Sequence, residues 1–240
     1  MSDAPLSGWK TRLAGWRMPA WGFPLLLLFV CIASYGLLIP ALGFYWDDFP
    51  ISWIGETYGA AGLERYFSTN RPFWGWLYCL TLPILGSQDP VLWQIFGLFW
   101  RWVSALALWK LLRLVWPRQE HLAAWAGLLF VVFPPFRQQP IAVVYSHFFM
   151  VLSLFLSSHI LTLTAVRRNQ GNTRSAAYWL LTCVALACSL YNLLAMEYFF
   201  VLELIRGLLI WVGLRDYFGS VRQRILRAAH QIRRTRGVWS

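Results

Sequence analysis

The chain has 240 residues, 58% apolar and only 13% charged, with 21 Lys and Arg against 10 Asp and Glu. A soluble domain carries about 25% charged residues, so a disordered chain, a collagen-like repeat, a disulfide scaffold and an ordinary cytosolic enzyme are disfavoured. The net charge of +11 leaves two sources open, a nucleic-acid patch or loops held on one side of a membrane.

From Met18 to Trp46 there is no Asp, Glu, Lys or Arg, and the same holds from Gln138 to Val166. About 20 apolar residues cross a hydrocarbon core of about 30 Å as a helix. The first run has an apolar core longer than that of a signal peptide. It is framed by Trp21, Pro24 and the cluster Phe44, Tyr45, Trp46, which predicts a retained signal-anchor helix. Phe73 to Leu85 is too short to span and contains Gly75 and Pro83; it is expected as an outer juxtamembrane helix with Trp74, Trp76 and Tyr78 at headgroup level. Pro90–Val115, His121–Phe136, Gln138–Val166, Ser175–Met196 and Tyr198–Leu214 complete about six crossings. The tail places Phe218, Val221, Ile225, Ala229 and Ile232 at helical spacing among arginines. That pattern fits an amphipathic helix on anionic lipid, the alternative being a disordered basic tail.

The expected fold is therefore all-α: a polytopic membrane helical bundle of about six transmembrane helices, with an outer juxtamembrane helix and a cytoplasmic amphipathic tail. It forms one membrane-embedded domain, divided into a cytoplasmic N-terminus (1–20), a transmembrane module (21–214) and a basic cytoplasmic tail (215–240). With the N-terminus inside, 16 of the 21 basic residues fall on the cytoplasmic side. Only Arg65, Arg71 and Arg137 fall outside, and six of the ten acids lie on the outer side or at its edge. This split fits the positive-inside rule and an inner-membrane protein with both termini cytoplasmic, whereas nucleic acid is not expected as a partner. The four cysteines suggest neither a disulfide nor a zinc site. Glycine-rich phosphate loops, G-x-S-x-G and HExxH are all absent from the sequence.

The chemistry-bearing residues gather on the outer side. Asp47 and Asp48 are adjacent carboxylates at an apolar boundary, which a cation, a proton or a basic ligand must relieve; the alternative is a solvated pair with Asp48 as an N-cap. Arg71, Arg137 and Arg101 are the available cations, in that order. Arg71 could instead pair with Glu64 or a headgroup, and the intramembrane Arg101 with Glu203. His147 lies on an apolar stretch, where a packed histidine competes with a functional one, and Glu197 stands at an outer helix junction.

The order of these signals resembles the GT-C superfamily of integral-membrane glycosyltransferases, which includes protein O-mannosyltransferases and the lipid A aminoarabinose transferase. The likeness rests on Asp47-Asp48 after the first helix and Arg71-Pro72 opening a juxtamembrane helix. It continues with the Gly86 to Pro90 turn and Phe133-Pro134-Pro135 closing the third helix. It implies transfer of a sugar from a polyprenyl-phosphate donor on the extracytoplasmic side, with Asp47 and Asp48 in the catalytic position. A divalent metal (Mg or Mn) held by the two aspartates is left open. Arg71, Arg137, Arg101, His147 and Glu197 would serve donor phosphate or acceptor binding. Family members generally have more helices and often a soluble C-terminal domain. The chain accordingly looks like the N-terminal module, working with a second membrane chain or retained as a non-catalytic structural subunit.

Overall fold

The computed structural model describes residues 19–133, 138–168, 175–215 and 219; the tail from residue 220, Arg137 and Pro134-Pro135 lie outside them. The described residues are all-helical, without strands. Helix α1 (Gly22–Cys31) continues through a π-turn, Ile32–Gly36, and a 3-10 turn, Ile39–Ala41. Next come α2 (Asp48–Phe67), α3 (Pro72–Leu85), α4 (Pro90–Val115), α5 (Glu120–Val132), α6 (Ala142–Arg168) and α7 (Ala176–Ala195). Two 3-10 turns, Glu197–Phe199 and Val201–Glu203, lead into a helix over 204–215. Among the described residues, four segments are long and apolar enough to cross a membrane: Gly22–Ala41, α4, α6 and α7.

The sequence motifs have local physical causes. Pro72 and Pro90 occupy first helical positions, where the missing N–H costs nothing. Gly86 takes the positive φ of 74° that ends α3, and Asp89 caps α4 by accepting from the amides of Val91 and Leu92. The segment after the paired aspartates is helical, broken at Gly59, whose φ of 66° is non-helical. Helix α3 is amphipathic in a sense the sequence did not show. Trp74 and Tyr78 are buried against the bundle, and among the three expected headgroup aromatics Trp76 is the exposed one.

Helix α6 is the centre of the bundle, with 61% of its spanning window buried against 17% for α1 and for α7. It packs most extensively on α4, and the two run parallel. Gln94 donates to the Pro140 carbonyl at one end and Arg167 donates to the Leu114 carbonyl at the other. Between them, Gly97 faces Ser146 and Ser104 hydrogen-bonds Ser153 at 2.8 Å, one heptad further along each helix. Small residues let the backbones approach closely, which replaces the hydrophobic driving force that lipid cannot supply. The neighbours alternate in direction. Helix α1 runs antiparallel to α4, with Phe23 on Trp109 and Cys31 at the Leu98 carbonyl. Helix α5 returns from the Arg113–Glu120 pair to Arg101, and α7 returns along α6 through Asn192 to the Val151 carbonyl. The last segment runs down α6, Phe199 on Phe155, Arg206 on Ser158, Gly213 against Val166.

Replacing Ser104 by Leu should wedge α4 from α6. A fall in the thermal midpoint of the detergent-solubilised protein, equivalent to about 1–3 kcal/mol, is expected.

Candidate functional site

The two ends of this bundle differ in charge. Asp47, Asp48, Glu56, Glu64, Asp89 and Glu197 lie at one end, and Arg113, Arg118, Arg167 and Arg215 at the other. At the acidic end the adjacent aspartates part company. Successive residues on a helix point about 100° apart, so α2 turns one carboxylate inward and leaves the other at the surface. Asp48 is fully buried and its Oδ1 accepts from the amides of Val143 and Val144, at 3.0 and 3.3 Å. It therefore caps the N-terminus of α6 from another helix, satisfying donors that α6 cannot satisfy itself. Asp47 stands at the N-cap position of α2, makes no capping bond and is exposed.

The second Asp48 oxygen, Oδ2, and the buried Tyr78 hydroxyl have no hydrogen-bond partner among the described residues, and Tyr78 lies within electrostatic range of both aspartates. Burial pushes the Asp48 carboxyl up to about 7, against the pull of the backbone amides.

Arg71, at the start of α3, reaches across to the turn after α7. Its Nη2 contacts Glu197 Oε1 at 2.5 Å and the Tyr198 hydroxyl at 3.3 Å, and its guanidinium lies 5.4 Å from the Tyr198 ring centre. The Glu197 carboxylate raises the Arg71 pKa, and the same hydrogen bond lowers that of Glu197. Of the partners weighed for Arg71, Glu64 is thus replaced by Glu197. Tyr145, on the first turn of α6, is within electrostatic range of both Asp47 and Tyr198 and closes the patch. Two exposed carboxylates, Asp47 and Glu197, one partly exposed guanidinium and two phenols therefore lie on α2, α3, α6 and the turn after α7 at the same end of the bundle.

Other expected site residues are placed elsewhere. Arg101 is buried inside the bundle, where Nη2 and Nε donate to the Val131 carbonyl at 2.7 and 3.1 Å. Nη1 donates to Gln139, Nη2 also to the Tyr35 hydroxyl, and the guanidinium lies 4.0 Å from the Tyr35 ring centre. It closes the C-terminus of α5, a stabilising place for a cation. Glu203 pairs with Arg206 at 2.8 Å and not with Arg101. His147 is fully buried in an aromatic box of Trp74, Tyr78, Trp93 and Phe96, with Nδ1 at the Val143 carbonyl and Nε2 at the Thr81 hydroxyl. That is the packed histidine of the sequence alternatives, on the first half of α6. Arg137 lies outside the described residues. Among the described residues no group of three or more His, Cys, Asp and Glu is arranged to hold a metal, and a buried Asp48 beside an exposed Asp47 does not converge on one ion.

Tyr198 and the role of Tyr145 were not read from the sequence. The one available signal was their aromatic type beside Glu197 and near the start of a helix. No family model, curated protein or solved structure matches the chain.

Because folded Asp48 holds its proton more tightly than the unfolded chain, its contribution to stability is complete below the ordinary carboxyl pKa of about 4 and is lost as pH rises through about 7. Asp48→Asn should remove this fall in the thermal midpoint between pH 5 and 8. Asp48→Ala should cost about 1–2 kcal/mol at pH 5 by orphaning two amides, a cost that shrinks as pH rises through about 7.

Proposed function

We propose that this chain is a membrane-embedded sugar-transfer module of the GT-C kind, using a polyprenyl-phosphate-linked sugar and an acceptor hydroxyl on the extracytoplasmic face. The observation that supports the reading is the Arg71–Glu197–Tyr198 cluster at the acidic end, with Tyr145 within electrostatic range of both Tyr198 and the exposed Asp47. Asp47 takes the acceptor hydroxyl's proton as that oxygen attacks the anomeric carbon. The bond from that carbon to the phosphate oxygen breaks, and its electron pair leaves with the lipid phosphate. Arg71, with 31% of its side chain exposed, is the cation placed to receive the departing charge. Asp48 holds the patch in place through the α6 N-terminus. The sugar donor lies in lipid, and the apolar surfaces of α1 and α7 face that lipid or a second membrane chain.

Asp47→Asn should abolish release of polyprenyl phosphate from a panel of polyprenyl-phosphate hexoses and pentoses in reconstituted vesicles, with an unchanged thermal midpoint. Transfer at the wild-type rate by this variant would remove the mechanism and favour the non-catalytic subunit.

The same reading includes six crossings in an inner membrane, with the N-terminus and the basic end cytoplasmic. The antiparallel returns of α5 and of residues 197–215 support it. Helix α5 is only about 20 Å long at 1.5 Å per residue, so its flanking turns must supply the remaining depth. With the native cysteines replaced by serine, Gln138→Cys should react with an impermeant maleimide from the periplasmic side, and Gln119→Cys only after permeabilisation. Labelling of both from one side would reject the six-crossing topology.

A further inference from the structure

The basic end holds a feature that the transferase reading does not use. A cavity of about 450 Å³ opens there between three separate helix ends. Arg118 comes from the turn between α4 and α5, Arg167 from the end of α6, and Arg215 from the end of the 204–215 helix. Trp116 and Gln119 line the same cavity.

The three side chains reach it under different constraints. Arg167 donates to the Leu114 carbonyl, so it is anchored on the C-terminal end of α4. Arg215 lies over the Trp211 ring at 5.5 Å, and Arg118 is exposed. The nearby carboxylate of Glu120 is engaged by Arg113 at 2.8 Å. Asp216, next in sequence to Arg215, lies outside the described residues. Trp116 and Trp211 are both more than half exposed, which puts amphipathic rings beside the arginines, the pairing expected where a bundle leaves the hydrocarbon core. Guanidinium groups recognise phosphate oxygens through forked, charge-assisted hydrogen bonds, and a basic pocket between helix ends is a headgroup-sized trap for that group.

We infer that this cavity is a binding site for the phosphate group of an anionic phospholipid, independent of any sugar transfer at the acidic end. The phosphodiester sits among Arg118, Arg167 and Arg215, with its acyl chains alongside the exposed faces of Trp116 and Trp211. A lipid source is favoured over a soluble phosphate because an exposed indole, Trp116, lines the cavity and a second, Trp211, lies against Arg215.

The test uses the full chain in a neutral detergent, titrated with phosphatidylglycerol, phosphatidylcholine or inorganic phosphate, and reads bound lipid by native mass spectrometry and the thermal midpoint. Phosphatidylglycerol should bind and raise the midpoint, phosphatidylcholine should not, and inorganic phosphate should compete only weakly. Arg118→Gln with Arg215→Gln should weaken phosphatidylglycerol binding about tenfold. Arg65→Gln, at the acidic end, should leave it unchanged. Both variants are checked for folding by circular dichroism, and Arg118→Lys with Arg215→Lys serves as a charge-retaining second variant with intermediate binding. Equal binding of the two lipids, no loss in the Arg118 and Arg215 variant, or equal loss in the Arg65 variant overturns the site. Saturation by inorganic phosphate without phosphatidylglycerol binding overturns the lipid source.

Discussion

Two helices that lie side by side and point the same way must be joined by a segment that brings the chain back, and α4 and α6 impose that constraint here. Their pairing is set by Gly97 and Ser104 against Ser146 and Ser153, and both ends are tied by side-chain bonds to carbonyls. The return falls to α5, which has only 13 residues. Its C-terminus therefore ends within the bundle, where open carbonyls would be costly. Arg101 is the answer: its guanidinium satisfies the Val131 carbonyl while Gln139 and Tyr35 take its remaining donors. An intramembrane arginine thus follows from chain topology, without any substrate being invoked.

The same economy runs through the other buried polar groups. Asp48 closes the start of α6 as Arg101 closes the end of α5, and His147 bridges the α6 backbone to Thr81 of α3. Arg206 and Glu203 pair with each other and with Ser158, Thr162 and Ser189, pinning the last segment to α6 and α7. What remains for chemistry is the small set that the bundle does not need for its own integrity. Asp47 is exposed, and Arg71 and Glu197 hold one another at the surface beside Tyr145 and Tyr198. The bundle supplies rigidity, the proposed transfer chemistry falls to the acidic end, and the proposed lipid contact falls to the basic end.

The likeness to GT-C enzymes and the charge asymmetry can be weighed separately. The first concerns a patch of a few residues and stands on Asp47 and Arg71. The second concerns the proposed orientation, on which the arginine-lined cavity would meet anionic headgroups. Loss of either leaves the other intact.

Much of the bundle was legible in the sequence because a membrane imposes a length rule: a long, predominantly apolar run has few alternatives to a spanning helix, and α1 with its continuation, α4, α6 and α7 are long and apolar enough to meet it. Gly86, Asp89 and Pro90 were legible for a similarly local reason, since positive φ, amide capping and a missing N–H each restrict the residue type. Helix α2 escaped because a half-polar surface helix broken at Gly59 has no such run. The roles of Asp47 and Asp48 could not be separated, since adjacent residues differ only in which way the helix turns them, and that depends on where α6 packs. Arg101 announced that it needed a partner but not which one, because its partners come from α5, Gln139 and Tyr35, all remote in sequence. Composition and local stereochemistry determined the helices and the charge of each end. Packing alone decided which charges close the fold and which remain exposed, since burial is a property of neighbours that the chain acquires only on folding.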